Sequence, residues 1–209
     1  VVAEDHSVDL PSGASDAAVE VLAGHPGGLN VLGVTATDAS HATARVSTDG
    51  QQVLVTATAG FAGRTAVTYE IGDGYGQNAT ATVTVSVFEP PLVRSAAEQV
   101  GVDGTFEVDV QELVEPSVGA PEHDGPLPGL RRPATVTGAS AAGGQAELTG
   151  GVLTYRAAPG FTGEDVVLIT AEDDLGQTGQ GEVVVTVVAA PVPPGTVEPG
   201  TNQPGSGQP

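Results

Sequence analysis

Cysteine, methionine, tryptophan and lysine are absent from the 209 residues, and only three Tyr and four Phe supply rings. Without Cys there is no disulfide framework, thiol nucleophile, iron–sulfur cluster or Cys-based zinc site. Without Lys there is no phosphate-cradling Gly-x-x-x-x-Gly-Lys or Ser-x-x-Lys catalytic pair, and no Lys–Asn isopeptide crosslink. Basic charge is scarce: Lys and Arg total 6 against 26 Asp and Glu, a net charge of −20. Such a chain repels phosphate backbones and anionic membrane surfaces, which argues against nucleic-acid binding. No apolar run nears the roughly 18 residues of a spanning helix. No charged-then-apolar leader opens the sequence, and the first residue is Val, so the expectation is a piece excised from a longer protein.

What is plentiful is Gly (30) and Pro (16), set among Val, Thr and Ala. Laid without a gap over 133–187, residues 33–87 are identical at 17 of 55 positions. The matches include Thr35/Thr135, Ala39/Ala139, Gly50/Gly150, Gly60/Gly160, Phe61/Phe161, Gly63/Gly163, Asp73/Asp173 and Gly76/Gly176. Turn glycines plus alternating apolar positions are what a duplicated unit retains when only its framework is constrained.

Period-two alternation identifies the unit as β. Val53, Val55 and Ala57 share one face, as do Val67, Tyr69 and Ile71, then Ala81, Val83, Val85 and Val87. The second unit repeats this with Leu153, Tyr155 and Ala157, then Val167, Ile169 and Ala171, then Val183, Val185 and Val187. Phe106, Val108 and Val110 alternate with Glu107 and Asp109 before them, as Val19 and Val21 do with Glu20. No stretch has a helical period. About seven short strands per unit of roughly 90–100 residues is the cadence of an immunoglobulin-like sandwich. The fold class expected is all-β: two tandem immunoglobulin-like (cadherin-like) sandwiches over residues 1–88 and 89–190, then a Pro/Gly-rich linker or tail at 191–209.

The motifs Val-Glu-Val-Leu-Ala-Gly at 19–24, Gly-Phe-Ala-Gly at 60–63 and Val-Thr-Tyr-Glu-Ile-Gly-Asp-Gly-Tyr-Gly at 67–76 resemble a bacterial Ig-like or cadherin-like repeat of the tandem-95 type. Pro-Gly-Phe-Thr-Gly at 159–163 and Ala-Glu-Asp-Asp-Leu-Gly at 171–176 carry the likeness into the second unit. The resemblance implies large secreted or surface proteins in which such repeats act as stalk, spacer and adhesion modules, some of them similar to calcium-binding repeats. Where those repeats often carry Asp-Pro-Asp-Gly-Asp, this chain has His25-Pro26-Gly27-Gly28, and the nearest match in the second unit is Glu122-His123-Asp124-Gly125.

Four sites invite chemistry. Asp73 and Asp173 precede a hairpin turn, where a carboxylate accepts hydrogen bonds from turn amides. Glu172, Asp173 and Asp174 are the densest acidic run, and like charges so close repel unless a cation or solvent relieves them. They are the candidate ligands for Ca²⁺, which takes six to eight oxygens. An insertion of about 11 residues lengthens the second-to-third-strand loop of unit two, spanning 111–131. The four His, at 6, 25, 41 and 123, have no ligand spacing, and the first three are expected to be exposed.

The expectation is therefore a non-enzymatic structural spacer of a larger exported bacterial protein, extracellular or at the cell surface, with neighbouring repeats of the same chain as its partners. The alternatives are an adhesive or calcium-binding module meeting a cell-surface protein or glycan, and an accessory domain of a secreted hydrolase.

Overall fold

The structure, a computed structural model, describes residues 1–115, 117–118, 131–132 and 134–190. Glu122–Gly125, most of the 111–131 loop and the tail at 191–209 lie outside the described residues.

The chain forms two tandem immunoglobulin-like sandwiches. The first has seven strands: β1 (His6–Pro11), β2 (Ala17–Val19), β3 (Asn30–Ala36), β4 (Ala42–Val46), β5 (Val53–Ala57), β6 (Gly63–Gly72) and β7 (Asn78–Phe88). One sheet runs β1-β7-β6-β3 and the other β2-β5-β4. The second sandwich opens with β8 (Leu92–Val93), β9 (Ala96–Gly101) and β10 (Thr105–Asp109). A single 3-10 turn, Val110–Leu113, follows, capped by Asp109, whose carboxylate accepts from Gln111 N at 3.0 Å. Then come β11 (Val114–Glu115), β12 (Ser117–Val118), β13 (Arg131–Arg132), β14 (Ala134–Ala141), β15 (Gly144–Thr149), β16 (Val152–Ala157), β17 (Gly163–Asp173) and β18 (Thr178–Val188). Its sheets run β14-β17-β18-β9 and β10-β16-β15. In each sandwich a strand near the start pairs in parallel with the last, β1 with β7 and β9 with β18.

The alternation read from sequence points where expected. Val53, Val55, Val67, Ile71, Val83, Val85 and Val87 are fully buried in one core, and Leu153, Tyr155, Val167, Ile169, Ala171, Val183 and Val185 in the other. No residue belongs to both clusters. Each fully buried Val or Ile contributes on the order of 1.5–3 kcal/mol of transfer free energy. Phe61 and Phe161 sit alike, half-buried at the rim of their own cores.

The ungapped comparison is correct only from β5 onward. Ala57 and Ala157 are equivalent, but pairing onto β6 and β17 makes Val31, Val34 and Ala36 the counterparts of Val136, Ala139 and Ala141. The identities between Thr35 and Ser40 are therefore coincidental. Both copies carry a bulge at the same place, between Val31 and Gly33 and between Val136 and Gly138. Val31 lies ten positions after Val21 and Val136 twenty-six after Val110, so the insertion is sixteen residues, not eleven. Two shorter connections offset part of it: Ala141 and Gly144 are three positions apart where Ala36 and Ala42 are six, and the β15–β16 hairpin turns on Gly150-Gly151 with φ of 61° and 87°.

Candidate functional site

The acidic run lies where β17 enters its hairpin. Successive strand residues face opposite ways, and the run obeys this: Asp173 is buried, whereas Glu172 and Asp174 are exposed. The Asp173 carboxylate is occupied by the turn. Its Oδ1 accepts from Leu175 N at 2.9 Å and Gln177 N at 2.8 Å, and its Oδ2 from Gln177 Nε2 at 2.9 Å. Asp73 does the same for the first hairpin, accepting from Tyr75 N at 2.8 Å and Gln77 N at 3.2 Å. The Tyr75 amide leads in holding the Asp73 carboxyl below its ordinary range. The turn role read from sequence is thus present in both copies. Strand geometry keeps Glu172 and Asp173 apart, and among the described residues no three His, Asp or Glu side chains gather as a metal-ligand group.

A carboxylate missed by the sequence reading lies deeper. Asp165 is 4% exposed and on the inward face of β17, two residues before Val167. The Tyr155 hydroxyl donates to its Oδ2 at 2.8 Å, and Ala142 N, Gly143 N and Val166 N donate to its Oδ1 at 3.2, 2.8 and 2.9 Å. Burial pushes this carboxyl up, but the Gly143 amide, the Tyr155 hydroxyl and the other two amides outweigh it, leaving it below the usual carboxylate range. Burial, then the hydrogen bond to Asp165 and its charge, push Tyr155 up to about 12. A carboxylate so saturated is a poor base and a phenol so raised a poor acid, so the pair acts as a clamp on the turn between β14 and β15. The parity of Val167, Ile169 and Ala171 extends to Asp165, which was the signal available in the sequence.

Glycines fit around this clamp. A Cβ on Gly143 would lie 2.9 Å from Phe161 Cζ and 3.0 Å from the Asp165 carboxyl carbon. A Cβ on Gly144 would collide with the Arg156 carbonyl oxygen. A groove of about 470 Å³ beside them is lined by Asp103, Gln145, Arg156 and Pro159 among others. In the first sandwich the place of Gly143 is taken by His41, which stacks on Phe61 at 4.2 Å and lies 3.6 Å from Asp38. His6 tilts against Tyr69 at 6.1 Å. His6, His25 and His41 are half-buried rather than exposed, two of them because the few rings of this protein recruit imidazoles as partners.

The joint is built as closely as the cores. Only Glu89, Pro90 and Pro91 separate β7 from β8. β8 pairs with β11, Val93 is buried in the second core, and Arg94 Nη2 donates to the Glu112 carbonyl at 2.9 Å. Gly179 and Gly181 on β18 leave room for this strap: a Cβ on Gly179 would overlap the Pro91 carbonyl oxygen, and one on Gly181 would lie 2.6 Å from that of Val93.

A family model described as bacterial Ig domain matches residues 1–86 and again residues 95–186. The chain belongs to the bacterial Ig domain family. No curated protein matches the sequence. Among solved structures, this pair of bacterial Ig domains is similar to Sidekick-1 immunoglobulin domains 1–4, at 15% identity over 90% of this chain and 48% of that one, TM-score 0.34. It is also similar to the human desmocollin-1 ectodomain (10%, 89% and 40%, TM-score 0.30) and to tandem Ig repeats of Dlar (13%, 91% and 96%, TM-score 0.28). The two bacterial Ig domains span less than half the length of the first two of these structures.

Proposed function

We propose that this tandem of bacterial Ig domains is a non-enzymatic structural spacer, two modules of a larger exported protein that hold another part of that protein away from the cell. The reading is carried by the joint. Three residues link two separately closed cores, and the strap that follows them is pressed onto Gly179 and Gly181, so bending there is limited. Two prolines within the joint restrict it further. The charge suits an exposed position: −7 over residues 1–88 and −12 over 89–190 keep modules soluble and apart. The paired carboxylates are spent on turns and on one clamp rather than on a cleft.

Small-angle scattering of the full chain tests this. Strands of ten or eleven residues at ~3.3 Å each make one sandwich on the order of 35 Å long, so two end to end reach about 70 Å before the tail is added. A maximum dimension near that of one sandwich would sink the proposal.

A further inference from the structure

The two copies bury matching inner rows but differ on the outer face of the four-stranded sheet. In the second sandwich Val166 on β17 stands opposite Val184 on β18, and Ala97 on β9 lies beside Val184. Leu168 follows along β17. Val166 is 39% and Leu168 45% exposed. The same places in the first sandwich hold Ala66, Thr84, Ser7 and Thr68. One blueprint closes its core with hydroxyls on this face, so the fold does not require the apolar cluster of the other copy.

Charge decides what fits over it. Glu182 pairs with Leu168, Glu164 stands on β17 just before Val166, and Glu172 lies four residues beyond Leu168; all three are exposed. Neither Lys nor Arg occurs in β9, β14, β17 or β18. A second copy would set these carboxylates against themselves, and like charges across an interface cost several kcal/mol. An anionic lipid surface is repelled for the same reason.

We propose that this face of the second sandwich is a docking surface for a protein segment whose apolar side chains are flanked by Lys or Arg. The apolar centre supplies the burial and the acidic rim supplies steering and register. The surface is separate from the joint, so the proposal stands or falls independently of the spacer reading.

The test titrates ¹⁵N-labelled full chain with a synthetic peptide of alternating Leu and Lys, using Leu/Glu and Ser/Lys peptides as comparisons. The expected result is chemical-shift change centred on Val166, Leu168, Val184 and Ala97 with the Leu/Lys peptide alone, weakening as salt rises. The triple variant Val166→Ala, Leu168→Thr, Val184→Thr, which installs the residues of the first sandwich, is expected to bind at least tenfold more weakly. If that variant does not fold, Leu168→Thr alone gives the same reading at smaller amplitude. Equal binding of the Ser/Lys peptide, shifts scattered over both sandwiches, or undiminished binding by the variant would overturn the proposal. So would a concentration-dependent dimer, or adhesion to anionic vesicles, that the variant abolishes.

Discussion

Tyr155 and Asp165 meet at 2.8 Å inside the second sandwich, and the first has no such phenol–carboxylate pair, with Val55 and Thr65 in their places. The first core puts its own tyrosine, Tyr69, on the other sheet, and its hydroxyl donates to the Glu4 carbonyl at 2.5 Å. Each copy thus buries one phenol but satisfies it differently. Leaving buried donors without a partner costs about 1–3 kcal/mol each. Asp165→Ala should therefore destabilise the second sandwich by about 3 kcal/mol or more. Tyr155→Phe, which removes one hydrogen bond to a charged group, should cost about 1.5–3 kcal/mol. Urea unfolding followed by residue-resolved NMR checks both, with the first sandwich unmoved.

The same pair sets the pH limits of that sandwich. The Asp165 carboxyl is depressed in the folded state, so its contribution is present above the unfolded value of about 3.9 and is lost as pH falls through the lower folded one. Tyr155 is raised to about 12, so its contribution is present below the unfolded value of about 10 and is lost as pH climbs toward 12. Melting curves across the alkaline range should show the second sandwich losing stability above about pH 10, and Tyr155→Phe should flatten that fall.

Gly179→Ala is expected to lift the strap off β18, because its methyl would overlap the Pro91 carbonyl oxygen. The corresponding residue in the first sandwich is Ala79, so alanine at this place is compatible with the sandwich itself. The variant should broaden the distance distribution seen by scattering while leaving both cores folded. An unchanged distribution would show that the strap does not limit bending.

At the β17–β18 hairpin, Asp173→Ala should cost about 1–3 kcal/mol in calcium-free buffer, since three donors lose their acceptor. With both Asp173 oxygens taken by the turn, added Ca²⁺ is expected to leave the melting temperature and calorimetric heat at Glu172–Asp174 unchanged. A rise in melting temperature that Glu172→Gln removes would contradict this.

Much of the architecture was legible because burial follows parity. Val67, Ile71, Val83 and Val85 declare an inward face by alternation alone, and Gly60-Phe61 with Gly160-Phe161 declare the duplication. β9 was not legible: Ala-Ala-Glu-Gln-Val-Gly has one strong apolar residue, and its place is set by backbone pairing to β18. The register upstream of β5 was misread because two connections are shorter in the second copy, by three positions before β15 and by two at the β15–β16 hairpin, and coincidental Thr and Ala matches filled the gap. Asp165 escaped notice because a carboxylate just ahead of the inward row Val167, Ile169 and Ala171 looks like the end of the pattern. Only its four donors, which come from three separate segments, explain why it can lie inside.

The parallel ladder of β1 on β7 spans six residue pairs from His6–Val83 to Pro11–Phe88. The chain therefore enters at one pole and leaves at the other, with the entering and departing strands zipped side by side. Tension drawn through the two ends slides these strands along each other and loads every rung together, instead of peeling rungs off singly. The same arrangement recurs between β9 and β18, so a hauled string of such modules would resist in shear, module by module.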